Sequence, residues 1–92
     1  MKITQVEILP IDKYLYVRIH TDEGLTGLGQ SGAAGYVEAS EGALRMFGRY
    51  LVGQDPLRIE HHWQYMYRFS HFRGAAIMGA ISAIDIALWD IA

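Results

Sequence analysis

The sequence predicts an α+β fold, a three-stranded antiparallel meander followed by three helices, and three observations predict it. The early part of the chain alternates apolar and polar side chains around turn residues, the mark of half-buried strands. The later part repeats apolar residues at helical spacing. No strand pattern returns after the first helix, which excludes the alternating order of a parallel sheet.

Lys2 to Pro10 reads as the first strand, with Val6 and Ile8 on one face and Pro10 closing it. Tyr14 to Thr21 alternates more cleanly: Leu15, Val17 and Ile19 point one way, and Tyr16, Arg18 and His20 the other. His20 is expected on the exposed or rim face, with no further role. Asp22, Glu23 and Gly24 supply turn chemistry, and Leu25 to Gln30 returns as a third strand. Gln30 to Gly35 is a loop of small residues able to approach another group closely. A helix follows from Tyr36 to Val52, with Val37, Leu44, Phe47 and Leu51 on one face and Gly53 as its C-terminal cap. Asp55 as N-cap and Pro56 at the first helical position open a second helix, running to Phe69. It is expected to bury Ile59, Trp63 and Met66 and to show Arg58, Glu60, His61 and Gln64 to solvent.

The closing helix, Gly74 to Ala92, carries one apolar stripe of Ile77, Ile81, Ile84, Leu88 and Ile91 and a second stripe of Ala76, Ala80, Ala83 and Ala87. Its third side holds Met78, Ser82, Asp85 and Trp89, so no broad polar face remains. No stop signal follows Ala92, and Asp90 puts the wrong charge in the last turn. The chain is therefore expected to be part of something larger, with the Ala76 to Ala87 stripe exposed and prone to self-association when alone. A membrane span is the alternative for such a run, and Ser82, Asp85 and Asp90, which interrupt it well inside, argue against it.

Composition narrows the function classes. A net charge of −2 with scattered basic residues argues against a nucleic-acid surface or a polybasic membrane anchor. The absence of cysteine removes disulfides, thiolate metal sites and a cysteine nucleophile, and fits a reducing cytoplasm. No signal-peptide pattern opens the chain.

Gly27, Gly29 and Gly32 match the G-x-G-x-x-G spacing of a dinucleotide-binding turn. Such a turn should follow the first strand of a βαβ unit, whereas here two antiparallel strands precede it and Asp55 starts a helix where a second parallel strand is required. The competing reading is that these glycines relieve crowding near a hairpin. Glu60, His61 and His62 lack the i, i+4 histidine pair of a helical zinc site and read as solvated helix polars. Asp85 and Asp90 diverge around their helix and read as buried acids satisfied within the fold or by a partner. His71 and Arg73, beside a glycine in a short linker, read either as cations meeting an anionic ligand or as a capping histidine and a surface arginine. No nucleophile, acid ladder or positioned lysine can be assembled, so no catalytic residue and no metal or cofactor site is assigned to this chain.

The run Ala80 to Ile91, with Ser82, Asp85, Ala87, Trp89 and Asp90 in place, resembles the signature segment of the mandelate racemase and muconate lactonizing enzyme group of the enolase superfamily. Met1-Lys2-Ile3, the hairpin Thr21 to Gly27, Leu51 to Pro56 and Phe72-Arg73-Gly74 agree with it, so the resemblance covers essentially the whole chain. With Trp63 to Arg68 added, it is most similar to acid-sugar dehydratases of the galactonate and mannonate type. No asparagine stands in the loop after the third strand, which departs from the mannonate pattern.

The resemblance implies an N-terminal capping domain, residues 1–92, ending partway through the signature and packing on its own C-terminal TIM barrel. In such enzymes the barrel holds Mg²⁺ and the acid and base groups. The proton α to a carboxylate is removed, and a dehydratase then expels the β-hydroxyl. The cap selects substrate and excludes water. Gln30, Tyr36, His71 and Arg73 are the positions it implies for contact with an acid sugar. A homo-oligomer in the cytoplasm is expected. The alternative is a free-standing binding or oligomerisation module that uses the apolar last helix.

Overall fold

A computed structural model describes residues 1–11, 14–31, 37–69 and 75–92. Three antiparallel strands, β1 (Ile3–Ile11), β2 (Tyr14–Thr21) and β3 (Thr26–Ser31), form one sheet in chain order. Three helices follow: α1 (Val37–Leu51), α2 (Ile59–Phe69) and α3 (Ala75–Ile91).

The alternation in β2 sets the two sides of the sheet. Leu15, Val17 and Ile19 are buried against the helices, while Arg18 is exposed and Tyr16 and His20 are half-buried on the outer face. His20 finds a partner there, because its Nε2 lies 2.9 Å from the Glu7 carboxylate. Pro10 does not close β1, which runs on to Ile11. β1 is an edge strand, where proline's missing N–H need not interrupt a ladder. At the other end of β1, Ile3 donates its N–H to the Gln54 carbonyl and accepts the Gly53 N–H, each at 2.8 Å. Gly53 reverses the chain after α1 at φ 90° and thereby ties the helix end to the strand.

The second helix begins later than the Asp55-Pro56 pair predicts. Asp55 Oδ1 accepts the Leu57 N–H at 2.9 Å and the Asp55 carbonyl accepts from Arg58 N at 3.3 Å, which makes a turn instead of a helical start. Regular helix starts at Ile59.

Phe47, Leu44 and Leu51 of α1, Met66 of α2 and Ile81, Ile84 and Leu88 of α3 meet Ile3, Leu15, Val17 and Ile19 in one core. Each such side chain contributes roughly 1.5–3 kcal/mol on burial. The middle of both stripes of α3 is covered within the chain, for Ala80, Ala83 and Ala87 are fully buried alongside Ile81, Ile84 and Leu88, while Ile77 and Ile91 are half-buried. The expectation of an exposed small-residue stripe is thus overturned for these residues. The reason is a close approach of backbones: a Cβ on Gly27 would lie 2.0 Å from the Ala87 carbonyl oxygen, and one on Gly29 1.9 Å from that of Ala83. Glycine in the strand and alanine in the helix let β3 lie directly on α3.

Two further expectations change. Asp90 is exposed, not buried, and its Oδ2 accepts the Leu28 N–H at 3.0 Å. A side chain of α3 thereby occupies one donor on the open edge of β3. His62, read as a solvated polar residue, is completely buried.

Candidate functional site

The direction of α3 against β3 fixes the end of the domain at which Gln30 lies. Gly27 faces Ala87 and Gly29 faces Ala83, so strand and helix run antiparallel and the C-terminus of β3 points toward the N-terminus of α3. The register of the sheet brings Leu15 opposite Ser31, and Ile11 opposite Tyr14, at that same end. The flanks of the β1–β2 turn, the end of β3 and the start of α3 therefore gather at one end. The turn between β2 and β3 lies at the other.

Gln30 stands in the last pairs of β3, opposite Tyr16, with its side chain exposed on the outer face. Tyr36, His71 and Arg73 lie outside the described residues. Near Gln30 the outer face forms a shallow groove lined by Leu9, Ile11, Tyr14, Tyr16, Arg18 and Leu28. Arg18 is held 3.7 Å from Glu7, the carboxylate that also meets His20. The groove is largely apolar and offers one cation at its side.

The buried polar centre that sequence reasoning missed lies elsewhere. His62 Nε2 is 2.7 Å from the Asp55 carbonyl oxygen and Nδ1 is 2.8 Å from the Tyr50 hydroxyl. A carbonyl only accepts, so Nε2 carries the hydrogen and the neutral ring accepts the Tyr50 O–H at Nδ1. Burial holds the imidazole below the ordinary histidine value; His61 and Arg58 nearby add to this, and the bond to Asp55 opposes it. Burial also raises the Tyr50 hydroxyl, whose ring stacks on Tyr65 at 4.0 Å. The cluster joins the end of α1, the Asp55 turn and α2, and both ring nitrogens of His62 are used within it. The one available signal was the spacing of His62 from Ile59 and Met66, which places all three on one helical side.

Among the described residues no three histidine, cysteine or acidic side chains converge as a metal set. The dinucleotide reading of Gly27 and Gly29 fails, because the space a pyrophosphate needs beside these glycines is filled by the Ala83 and Ala87 carbonyls. No helix among the described residues is long and apolar enough to cross a membrane.

The chain is thus a three-stranded antiparallel meander whose last strand lays two glycines on its last helix. Residues 4–92 match the family model described as mandelate racemase / muconate lactonizing enzyme, N-terminal domain, and the chain belongs to that family. Within it, the chain is 45% identical over 93 aligned residues to a D-galactonate dehydratase of Verminephrobacter eiseniae (strain EF01-2). It is 44% identical to a D-galactonate dehydratase of Variovorax paradoxus (strain S110). Each alignment takes in 99% of this chain and 24% of the relative, so the chain spans about a quarter of the length of these curated relatives. A crystal structure of an enolase superfamily member from Salmonella Typhimurium superposes with a TM-score of 0.90 at 36% identity, covering 98% of this chain and 25% of that one. An enolase from Agrobacterium radiobacter, with bound Na and L-malate and an ordered active site, superposes with a TM-score of 0.91 at 35% identity, covering 98% of this chain and 24% of that one.

Proposed function

We propose that the chain is the specificity cap of an acid-sugar dehydratase, catalytically silent alone and completed by its own C-terminal TIM barrel. The observation that carries this reading is the identity to D-galactonate dehydratases along nearly the full chain. In the parent, Mg²⁺ and the groups that move protons belong to the barrel, and the reaction removes the proton α to a carboxylate and then the β-hydroxyl. The cap's own part is to bind and enclose. Gln30 at the end of β3, with Tyr36, His71 and Arg73 in the flanking connections, supplies hydrogen bonds, an aromatic wall and positive charge suited to a polyhydroxylated carboxylate. The L-malate held by the Agrobacterium radiobacter enolase is a small hydroxy acid of compatible chemistry.

A panel of aldonic and aldaric acids offered to the full-length gene product tests this reading. Turnover of at least one, with KM raised tenfold or more by Arg73→Ala, is the expected result. Turnover that is indifferent to substitutions at Gln30, Tyr36, His71 and Arg73 alike would remove the substrate-contact roles.

A further inference from the structure

The two edges of the sheet are not alike. On β3, Leu28 turns its N–H away from β2, and the Asp90 carboxylate takes it. On β2, Thr21 donates its N–H to Leu25 and so turns its main chain away from β1. Alternation along β2 directs the main chains of Ile19, Val17 and Leu15 the same way, which leaves their partners on β1, namely Val6, Ile8 and Pro10, facing outward. Pro10 agrees, because an outward position on an edge strand is one that can lack an N–H. At the start of β1 the outward groups of Ile3 are taken by Gly53 and Gln54. The open window is therefore short: among the described residues nothing outside the sheet pairs with the N–H and C=O groups of Val6 and Ile8. The helix α1 runs beside this window in the opposite sense, since Gly53 meets Ile3 while a Cβ on Gly48 would lie 3.3 Å from the Val6 side chain. Between edge and helix lies a cleft of about 370 Å³, with Val6, Ile8 and Leu44 as its apolar lining and Arg45, Arg49 and Val52 along its side. Arg45 gives one guanidinium nitrogen to Glu41 at 2.7 Å, and Arg49 has no ion pair among the described residues.

We propose that the open edge of β1 takes up an extended acidic segment of another polypeptide as a fourth, antiparallel strand, with Val6 and Ile8 exchanging main-chain hydrogen bonds with it and Arg45 and Arg49 meeting two of its carboxylates. An edge with free donors and acceptors is a template for strand addition, and side-chain pockets beside it set the choice of partner. The spacing fits. Alternate side chains of a strand stand roughly 6.8 Å apart, and residues four apart on a helix rise by about 6 Å. Two carboxylates at i and i+2 can thus each reach one arginine, and a third side chain on the same face can be apolar over Val6 or Ile8. Charge selects against a second copy. The β1 to β1 register that would use all four open groups sets Glu7 opposite its own mate on the outer face and carries two further arginines toward the cleft. The site shares no residue with the substrate contacts proposed above, so it holds whether or not the parent acts on an acid sugar.

The blocked heptapeptide TVTETET, whose valine and two glutamates share one face, is the probe, and TVTKTKT is its charge-reversed control. Fluorescence anisotropy with the full-length gene product measures affinity, and amide hydrogen exchange over β1 locates the contact. The expected result is saturable binding of the acidic peptide alone, with slowed exchange at Val6 and Ile8. Arg49→Ala, an exposed change that leaves the core untouched, should weaken binding by about fivefold. Methylating the amides of the valine and glutamates, which face β1 in an antiparallel pair, should abolish binding, while methylating the threonine amides should not. Equal uptake of TVTKTKT would overturn the proposal, as would binding that survives methylation at the glutamates. Slow exchange at Val6 and Ile8 in the protein without peptide, together with no uptake of TVTETET, would overturn it by showing the edge already covered. Loss of that protection on dilution would assign the cover to a second copy.

Discussion

A Cβ built on Gly29 would stand 1.9 Å from the carbonyl oxygen of Ala83, so strand and helix touch through their main chains. The oxygen belongs to a helical peptide and cannot rotate away. Gly29→Ala should therefore destabilise the chain by on the order of 3 kcal/mol, the upper range for overpacking, because α3 must move as a body. Gly42→Ala is the control, since a Cβ there meets nothing within 4 Å and sits in α1, where alanine is the better helix former. Urea midpoints of the two variants should move in opposite directions.

His62 links stability to pH. Its folded value lies below the ordinary 6.5 because burial disfavours the charged ring, so between these values the unfolded chain binds the additional proton. Stability is complete above about pH 6.5 and declines as pH falls through that value toward the lower folded one, at a limiting slope of ~1.4 kcal/mol per pH unit. Denaturation at pH 7.5, 6.0 and 5.0 measures this. His62→Gln should be less stable at pH 7.5 and should lose that part of the slope.

The carboxyl of Asp85 behaves in the opposite sense. Its folded value is raised by burial, so the folded chain holds its proton more tightly and stability falls as pH rises from 3.8 through the folded value. Asp85→Asn should stabilise the 92-residue chain at pH 7 by about 0.5 kcal/mol, with the gain vanishing below pH 3.8. Thermal melts at pH 7 and pH 3 report it. An unchanged melting temperature at pH 7 would mean that the carboxylate is fully solvated.

Asp90 guards an edge. Removing its acceptor by Asp90→Ala frees the Leu28 N–H at the open side of β3 and should cost about 0.5–1 kcal/mol, modest because the bond is exposed. Amide hydrogen exchange should accelerate at Leu28 more than at residues of β2.

Much of the architecture was legible in local pattern. The alternation of Leu15, Val17 and Ile19 places one side of the sheet inward, the Gly53 break ends α1, and the spacing of Ile81, Ile84 and Leu88 marks a helix that must be buried. The Gln30 to Gly35 connection and the His71–Arg73 linker stood out as candidate binding positions by residue type. That the start of α3 and the end of β3 share one end of the domain could not be read from type, because it follows from two glycine contacts across more than fifty residues of chain.

The sequence by itself determined the element order, the faces each element possesses and the family the chain resembles, since periodicity and motif are properties of neighbours along the chain. Only the tertiary structure decided which face of α3 is covered, that His62 is buried and not solvated, and that Asp90 serves a strand edge. The physical reason is that a helical pattern shows how many sides need shelter, whereas burial depends on which other backbone is small enough to come close. Here Gly27 and Gly29 let a strand in against the alanines, and the tryptophan side remained outside.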